Sequence, residues 1–203
     1  MKTILHSTDF SENAIEALKY AHTLCLKMNS SLYVIHVFDT STLSSDLNET
    51  YLLPFKETFE RKSELLNKYC DSNLDTLSAT DQLKTEAIEN ANTVTGIIAK
   101  ANEINASLIV VGMKGKNTLE TIFIGSTTNK LIKKSPFPTL VIPPNTLLNR
   151  LETIVYATDF EEEDISAIFK LSQIAQLFNA TIKIVHISLE KNAYTNEEMD
   201  WFK

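Results

Sequence analysis

The chain has 203 residues, of which 43% are apolar and 22% charged, with a formal net charge of −7. That length suffices for one well-packed domain and is long for a single compact one. The composition is that of a globular protein in water, and the negative balance leaves no global basic footprint for nucleic acid.

In chain order, KTILHS at 2–7 reads as a short strand. Thr8-Asp9-Phe10-Ser11-Glu12 follows, with Ser11 as the expected N-cap of a helix. Ala14, Ile15, Leu18, Ala21, Cys25 and Met28 then recur at helical spacing, and Asn29-Ser30 ends the run. SLYVIHVF at 31–38 is a nearly continuous apolar run, the pattern of a strand buried on both faces. A polar loop and a helix over roughly 50–70 come next. The expected buried stripe is Leu52, Phe55, Phe59, Leu65, Leu66 and Tyr69, and Pro54 is tolerable only in the first turn. Residues 71–82 read as loop and Leu83–Glu89 as a weak strand. Asn90–Asn92 caps a helix running to about 104, with Val94, Ile97, Ile98 and Ala101 inward. ASLIVVG at 106–112 is the strongest strand, Ser126 to Lys134 a short helix, and Pro136 to Ile142 a final strand at an edge. Alternating strands and helices predict an open α/β sheet with right-handed crossovers.

The chain also repeats itself. TILHSTDF from Thr3 returns as TIVYATDF from Thr153. At that constant offset of 150 the match runs to Val37 and Ile187, and it includes Asp9/Asp159, Phe10/Phe160 and His36/His186. The expectation is a complete unit over 1–145, followed by the opening β-α-β of a second, truncated copy over 151–203. Of the two cysteines, Cys25 falls on an apolar helix face as a small hydrophobe, and no metal-binding spacing such as CxxC occurs. MKTILHSTDF meets an Asp before any signal core forms, and no apolar run approaches the roughly 18 residues of a membrane span. A cytoplasmic protein without membrane or nucleic-acid partners is expected.

Only four glycines occur, and Gly112, Gly115 and Gly125 fall within GMKGKNTLETIFIGST at 112–127. Ligands of open α/β sheets bind beyond the carboxyl ends of the strands, where the strand order reverses. Asp9 after the first strand and the glycine stretch after the fourth would share that crevice if those strands are neighbours. Gly112 and Gly115 are expected to let the backbone approach a ligand and to supply angles that a Cβ forbids. Gly125-Ser126 opens a helix whose free N–H groups attract an anion, aided by the Ser126 and Thr127 hydroxyls. Residues 112–134 carry five lysines against one acid, Glu120, so a phosphate is the natural guest. Leu119, Ile122, Phe123 and Ile124 are expected to anchor the span between the glycines to the protein or to a dimer mate. GxxxxGK[ST], GxGxxG and GxSxG are all absent.

G-x2-G-x9-G-S after ASLIVVG resembles the nucleotide-binding signature of the universal stress protein family. TDF after the first strand, HV ending the second and the closing PFPTLVIPP stand in that family's order. The resemblance implies a five-stranded parallel sheet in the order 3-2-1-4-5, helices on both faces, and ATP binding. Carried over by position, Thr8 and Asp9 lie toward the ribose or adenine, and the backbone near Val37 and Val111 meets the adenine edge. Gly112, Gly115, Gly125, Ser126 and Thr127 then surround ribose and phosphates. Ser7 stands where many members have Pro, and Thr127 where Val is common.

Plainer readings stand beside these. Gly112 and Gly115 also fit simple turns, and Asp9 a helix-starting carboxylate. His36 and His186 fit structural hydrogen bonding, and Lys133 and Lys134 fit a helix C-terminus. Glu161 to Asp164 fits an exposed acidic helix start. With no general base placed beside a phosphate and no acidic metal cluster, nucleotide binding rather than turnover is expected, Asp9 being the one carboxylate that could help hold Mg²⁺. The alternatives are an interaction protein that dimerises, or pairs with its second repeat, through the 138–142 edge strand, and a slow ATPase.

Overall fold

A computed structural model describes residues 2–40, 52–74, 83–113, 124–146 and 151–187, leaving the side chains of 52–55 aside. The chain divides into two compact units, Met1–Thr146 and Leu147–Lys203.

The first unit begins with β1 (Thr3–Ser7), α1 (Glu12–Met28) and β2 (Ser31–Phe38). The Ser11 hydroxyl accepts the Ala14 N–H and starts α1. Asn29 ends it in the left-handed conformation at φ 47°. Ala14, Ala17, Leu18, Ala21, Leu24 and Cys25 form its buried face. Burial pushes the Cys25 thiol up to about 12, which makes it the inert small hydrophobe its position suggested. β2 is buried along most of its length.

The next helix, α2 (Leu52–Asn73), runs past the expected end at 70, and Pro54 lies in its first turn. Its buried face also departs from expectation. Leu66, Tyr69 and Cys70 are buried, whereas Phe59 is 38% and Leu65 44% exposed. Residues 66, 69 and 70 share one narrow stripe at i, i+3 and i+4, and Leu65 lies about 100° around the helix from its centre. β3 (Leu83–Glu89), α3 (Thr93–Glu103), β4 (Leu108–Gly112), α4 (Ser126–Lys134) and β5 (Thr139–Ile142) complete the unit. β5 is shorter than expected at its start. Ser135 and Phe137 instead form a local turn, with the Ser135 hydroxyl accepting the Phe137 N–H.

The sheet is parallel throughout, in the order β3-β2-β1-β4-β5. Strand alternation sends Leu5, Ile35, Val37, Ile109 and Val111 to one face, where they meet Val94, Ile97 and Ala101 of α3 and Leu131 of α4. Ile4, Val34 and Val110 take the opposite face, where α1 packs on β1 and β4 and α2 on β3. β1 and β2 continue leftward to β3, while β4 and β5 lie on the other side of β1. The strand order therefore reverses between β1 and β4.

The second unit contains β6 (Thr153–Ala157), α5 (Glu162–Phe178) and β7 (Thr181–Val185). Thr153 pairs with Thr181 as Thr3 pairs with Ser31, so the register of the repeat is kept. Asn179 ends α5 at φ 53°, as Asn29 ends α1. Burial differs. Leu5 is fully buried, but its counterpart Val155 is 64% exposed. β1 is flanked by strands on both sides, whereas among the described residues β6 has only β7 beside it.

Candidate functional site

The reversal of strand order opens a crevice at the carboxyl ends of β1 and β4, with a cavity volume of about 360 Å³. Thr8, Asp9, Asn13 and Ala14 wall it from the β1–α1 turn, and Val37 with His36 from the end of β2. Val111, Gly112 and Met113 come from β4, Gly125, Ser126, Thr127 and Thr128 from the start of α4, and Thr93 and Ile97 from α3. Eight of the nine positions singled out in the sequence thus meet at one place. The ninth, Gly115, lies outside the described residues, as do Lys114, Lys116, Leu119, Ile122 and Phe123. Ile124 is described and is 43% exposed.

The turn after β1 is built by hydrogen bonds. Buried Thr8 donates its N–H to the Ile35 carbonyl at 2.9 Å, which ties the turn to β2. Its hydroxyl oxygen accepts the Phe10 N–H at 2.9 Å. Asp9 is exposed, and its Oδ1 accepts the Ser11 N–H at 3.0 Å. The carboxylate therefore closes a local turn onto Ser11, the N-cap of α1, rather than bonding a helical N–H itself, and it also lines the crevice. Both roles use one residue because the turn itself is the crevice wall.

Gly112 corrects an expectation. No described glycine has a positive φ. The glycine is required by proximity, because a Cβ there would stand 2.6 Å from the Asn13 carbonyl oxygen. The first turn of α1 sits directly against the end of β4. Gly125 is likewise in ordinary conformation, at φ −57°, and is the N-cap of α4. Among the described residues no side chain caps that helix start, whose first N–H groups lie at the crevice. Ser126 and Thr127 are exposed there, while Thr128 is buried and donates its hydroxyl to the Gly112 carbonyl at 3.3 Å. That bond fastens α4 to the end of β4.

Two histidines lie beneath. His36 Nδ1 donates to the Thr8 carbonyl at 2.9 Å, the structural role expected for it. His6 Nδ1 donates to the Val110 carbonyl at 3.0 Å and joins β1 to β4. Burial lowers the pKa of both, that of His6 to about 4. Both imidazoles are therefore neutral at pH 7.

Sequence reasoning missed three contributors. Phe10 is left-handed at φ 64°, and no residue pattern announces that for a phenylalanine. Gly96, the fourth glycine, lets α3 approach, since a Cβ there would meet Val37 Cγ1 at 2.9 Å. Thr128 fixes α4, and only its place beside Ser126 and Thr127 hinted at it. Among the described residues no group of three or more acids, histidines or cysteines could hold a metal, and no helix is long and apolar enough to cross a membrane.

Fold and crevice together define an open, doubly wound α/β protein with its cleft at the switch point of the sheet. Within that class the chain belongs to the universal stress protein family, whose model matches residues 1–143. A universal stress protein of Methanocaldococcus jannaschii is 30% identical over 146 residues, covering 70% of this chain and 81% of the relative. The crystal structure of a universal stress protein from Archaeoglobus fulgidus matches 98% of this chain and 70% of its own, at a TM-score of 0.67 and 20% identity. A universal stress protein solved in complex with cAMP matches 70% of this chain and 96% of its own, at a TM-score of 0.50 and 18% identity.

Proposed function

We propose that the first unit is an ATP-binding module of the stress-response type and that it acts by binding rather than turnover. The observation that carries this reading is the meeting of Asp9, Val37, Val111, Gly112 and the uncapped start of α4 around one cavity of about 360 Å³. That volume lies in the range of small-ligand sites, roughly 300–1,000 Å³. A related protein binding cAMP supports an adenine nucleotide as the guest.

Each wall has a task in this reading. Val37 and Val111 flank the base with apolar surface and backbone polar groups. Asp9 accepts hydrogen bonds from the ribose. The N–H groups at the start of α4, with Ser126 and Thr127, hold the phosphates through the helix dipole. Asp9 is the crevice's carboxylate among the described residues. One carboxylate suits a Mg²⁺ that arrives on the nucleotide phosphates better than a resident metal site. The second unit repeats the turn and its Asp159, as the opening of a second copy of the module.

Calorimetric titration of the full chain with ATP and Mg²⁺ tests the reading. Saturable binding is expected, and it should be lost in Gly115→Val plus Gly125→Val. No measurable binding, or unchanged affinity in that variant, overturns it. ATP turnover that vanishes in Asp9→Ala would instead make the protein a slow ATPase.

One observation favours a second activity. Among the described residues β5 is an edge strand, bonded to β4 on one side, with Thr139, Leu140 and Val141 half-buried. Its open edge suits pairing with the same strand of a second copy.

A further inference from the structure

We propose that Phe10 is a positioning residue: its ring, clamped between His36 and Tyr69, holds the β1–α1 turn in the shape that presents Asp9 to the crevice. This inference rests on the nucleotide-binding reading of that crevice.

Phe10 has φ 64°. In that conformation the Cβ of an L-residue crowds the following carbonyl, and a bulky aromatic residue there is an outlier. Such strain persists only where the surroundings over-determine it. Here three ties do so. The Thr8 hydroxyl accepts the Phe10 N–H at 2.9 Å. The Phe10 ring centroid lies 4.3 Å from that of His36 and 5.4 Å, edge-on, from that of Tyr69. His36 is itself pinned, because its Nδ1–H donates to the Thr8 carbonyl at 2.9 Å. The contacts close a loop from Thr8 to Phe10 to His36 and back to Thr8. Asp9 stands inside that loop with both chain neighbours held, while its own side chain is exposed.

Asparagine or glycine would make the same turn without strain. What the phenylalanine adds is its ring, so the ring's grip is what the strained backbone serves. The second unit carries the same loop. Phe160 has φ 62°, its N–H donates to the Thr158 hydroxyl at 2.9 Å, and its ring lies 4.6 Å from that of His186. His186 Nδ1 in turn donates to the Thr158 carbonyl at 2.7 Å. The Thr–Phe–His part of the device is therefore complete within one β-α-β, the Tyr69 contact being added by α2 in the first unit, and the second copy supplies an internal control.

The test titrates the full chain and its variants with ATP and follows thermal unfolding in parallel. Phe10→Asn is expected to weaken ATP binding on the order of 10- to 100-fold, with the unfolding midpoint kept because Asn tolerates the left-handed turn. Phe10→Tyr restores the ring and is expected to bind like the parent. Phe160→Asn removes the matching ring from the second unit and is expected to leave affinity unchanged. If Phe10→Asn prevents folding, Phe10→Leu replaces it, with the same expected loss. Parent-like affinity without the Phe10 ring, or equal losses from Phe10→Asn and Phe160→Asn, overturns the positioning role alone. If the unsubstituted chain binds no ATP, the nucleotide reading itself falls, and the positioning role falls with it.

Discussion

A Cβ on Gly112 would stand 2.6 Å from the carbonyl oxygen of Asn13 and 2.8 Å from its carbonyl carbon. Both are backbone atoms of the first turn of α1, so neither can swing aside. The end of β4 and the start of α1 thus meet backbone to backbone at the mouth of the crevice.

Gly112→Ala should therefore destabilise the first unit by about 1–3 kcal/mol, the usual cost of overpacking a close contact. ATP affinity should fall as well, because relief requires α1 and β4 to separate and both wall the crevice. Urea unfolding and ATP titration of the same variant check the two effects together. Unchanged stability would show that α1 yields freely at this contact.

Gly125→Asp should separate stability from binding. Among the described residues, no side chain caps the start of α4. An aspartate there supplies one and should stabilise the unit by about a few tenths of a kcal/mol, because glycine is already a tolerable N-cap. The same carboxylate occupies the N–H groups proposed for the phosphates and repels an anion. ATP binding should weaken by at least about tenfold, or ~1.4 kcal/mol. A variant that is more stable and still binds as the parent does would remove the start of α4 from the site.

His6 sets an acid limit on stability. Its folded pKa is lowered by burial from 6.5 to about 4, so the unfolded chain binds the proton more readily. Stability is then full above about pH 6.5 and declines as pH falls toward 4, by ~3 kcal/mol at about 1.4 kcal/mol per unit. His36, lowered for the same reason, adds to the decline in the same direction. His6→Gln keeps a donor for the Val110 carbonyl and does not titrate. Chemical denaturation between pH 7 and 4 should show a shallower loss in that variant than in the parent.

Leu140→Lys tests the edge of β5. Lysine on an open strand edge discourages pairing with another copy. Light scattering should show a dimer for the parent and a monomer for the variant, with ATP affinity kept. A variant that dimerises as the parent does would place the interface elsewhere.

Much of this protein could be read without coordinates. Apolar runs of β-branched residues marked β2 and β4, helical spacing marked α1 and α3, and Ser11, Asn29 and Asn92 capped where their side chains predicted. These are local properties, set by the pattern of side chains and the hydrogen bonds of nearby backbone. The repeat at an offset of 150 was equally plain, and it preserved the register and the asparagine C-cap of the helix in the second unit. The glycine cluster and Asp9 pointed to the crevice because ligands of such sheets gather where the strand order reverses.

Tertiary structure decided the rest. The exposure of Phe59 and Leu65 depends on which stripe of α2 meets the sheet, and neighbouring apolar residues do not reveal that. Gly112 is needed for its nearness to Asn13, a residue 99 positions earlier, and Gly96 for its nearness to Val37. Phe10 is held left-handed by His36 and Tyr69, which approach only once β2 and α2 are in place. Local sequence sets which backbone shapes are cheap. Only the packing of distant segments decides where a costly shape is held, and at this crevice that shape is the turn carrying Asp9.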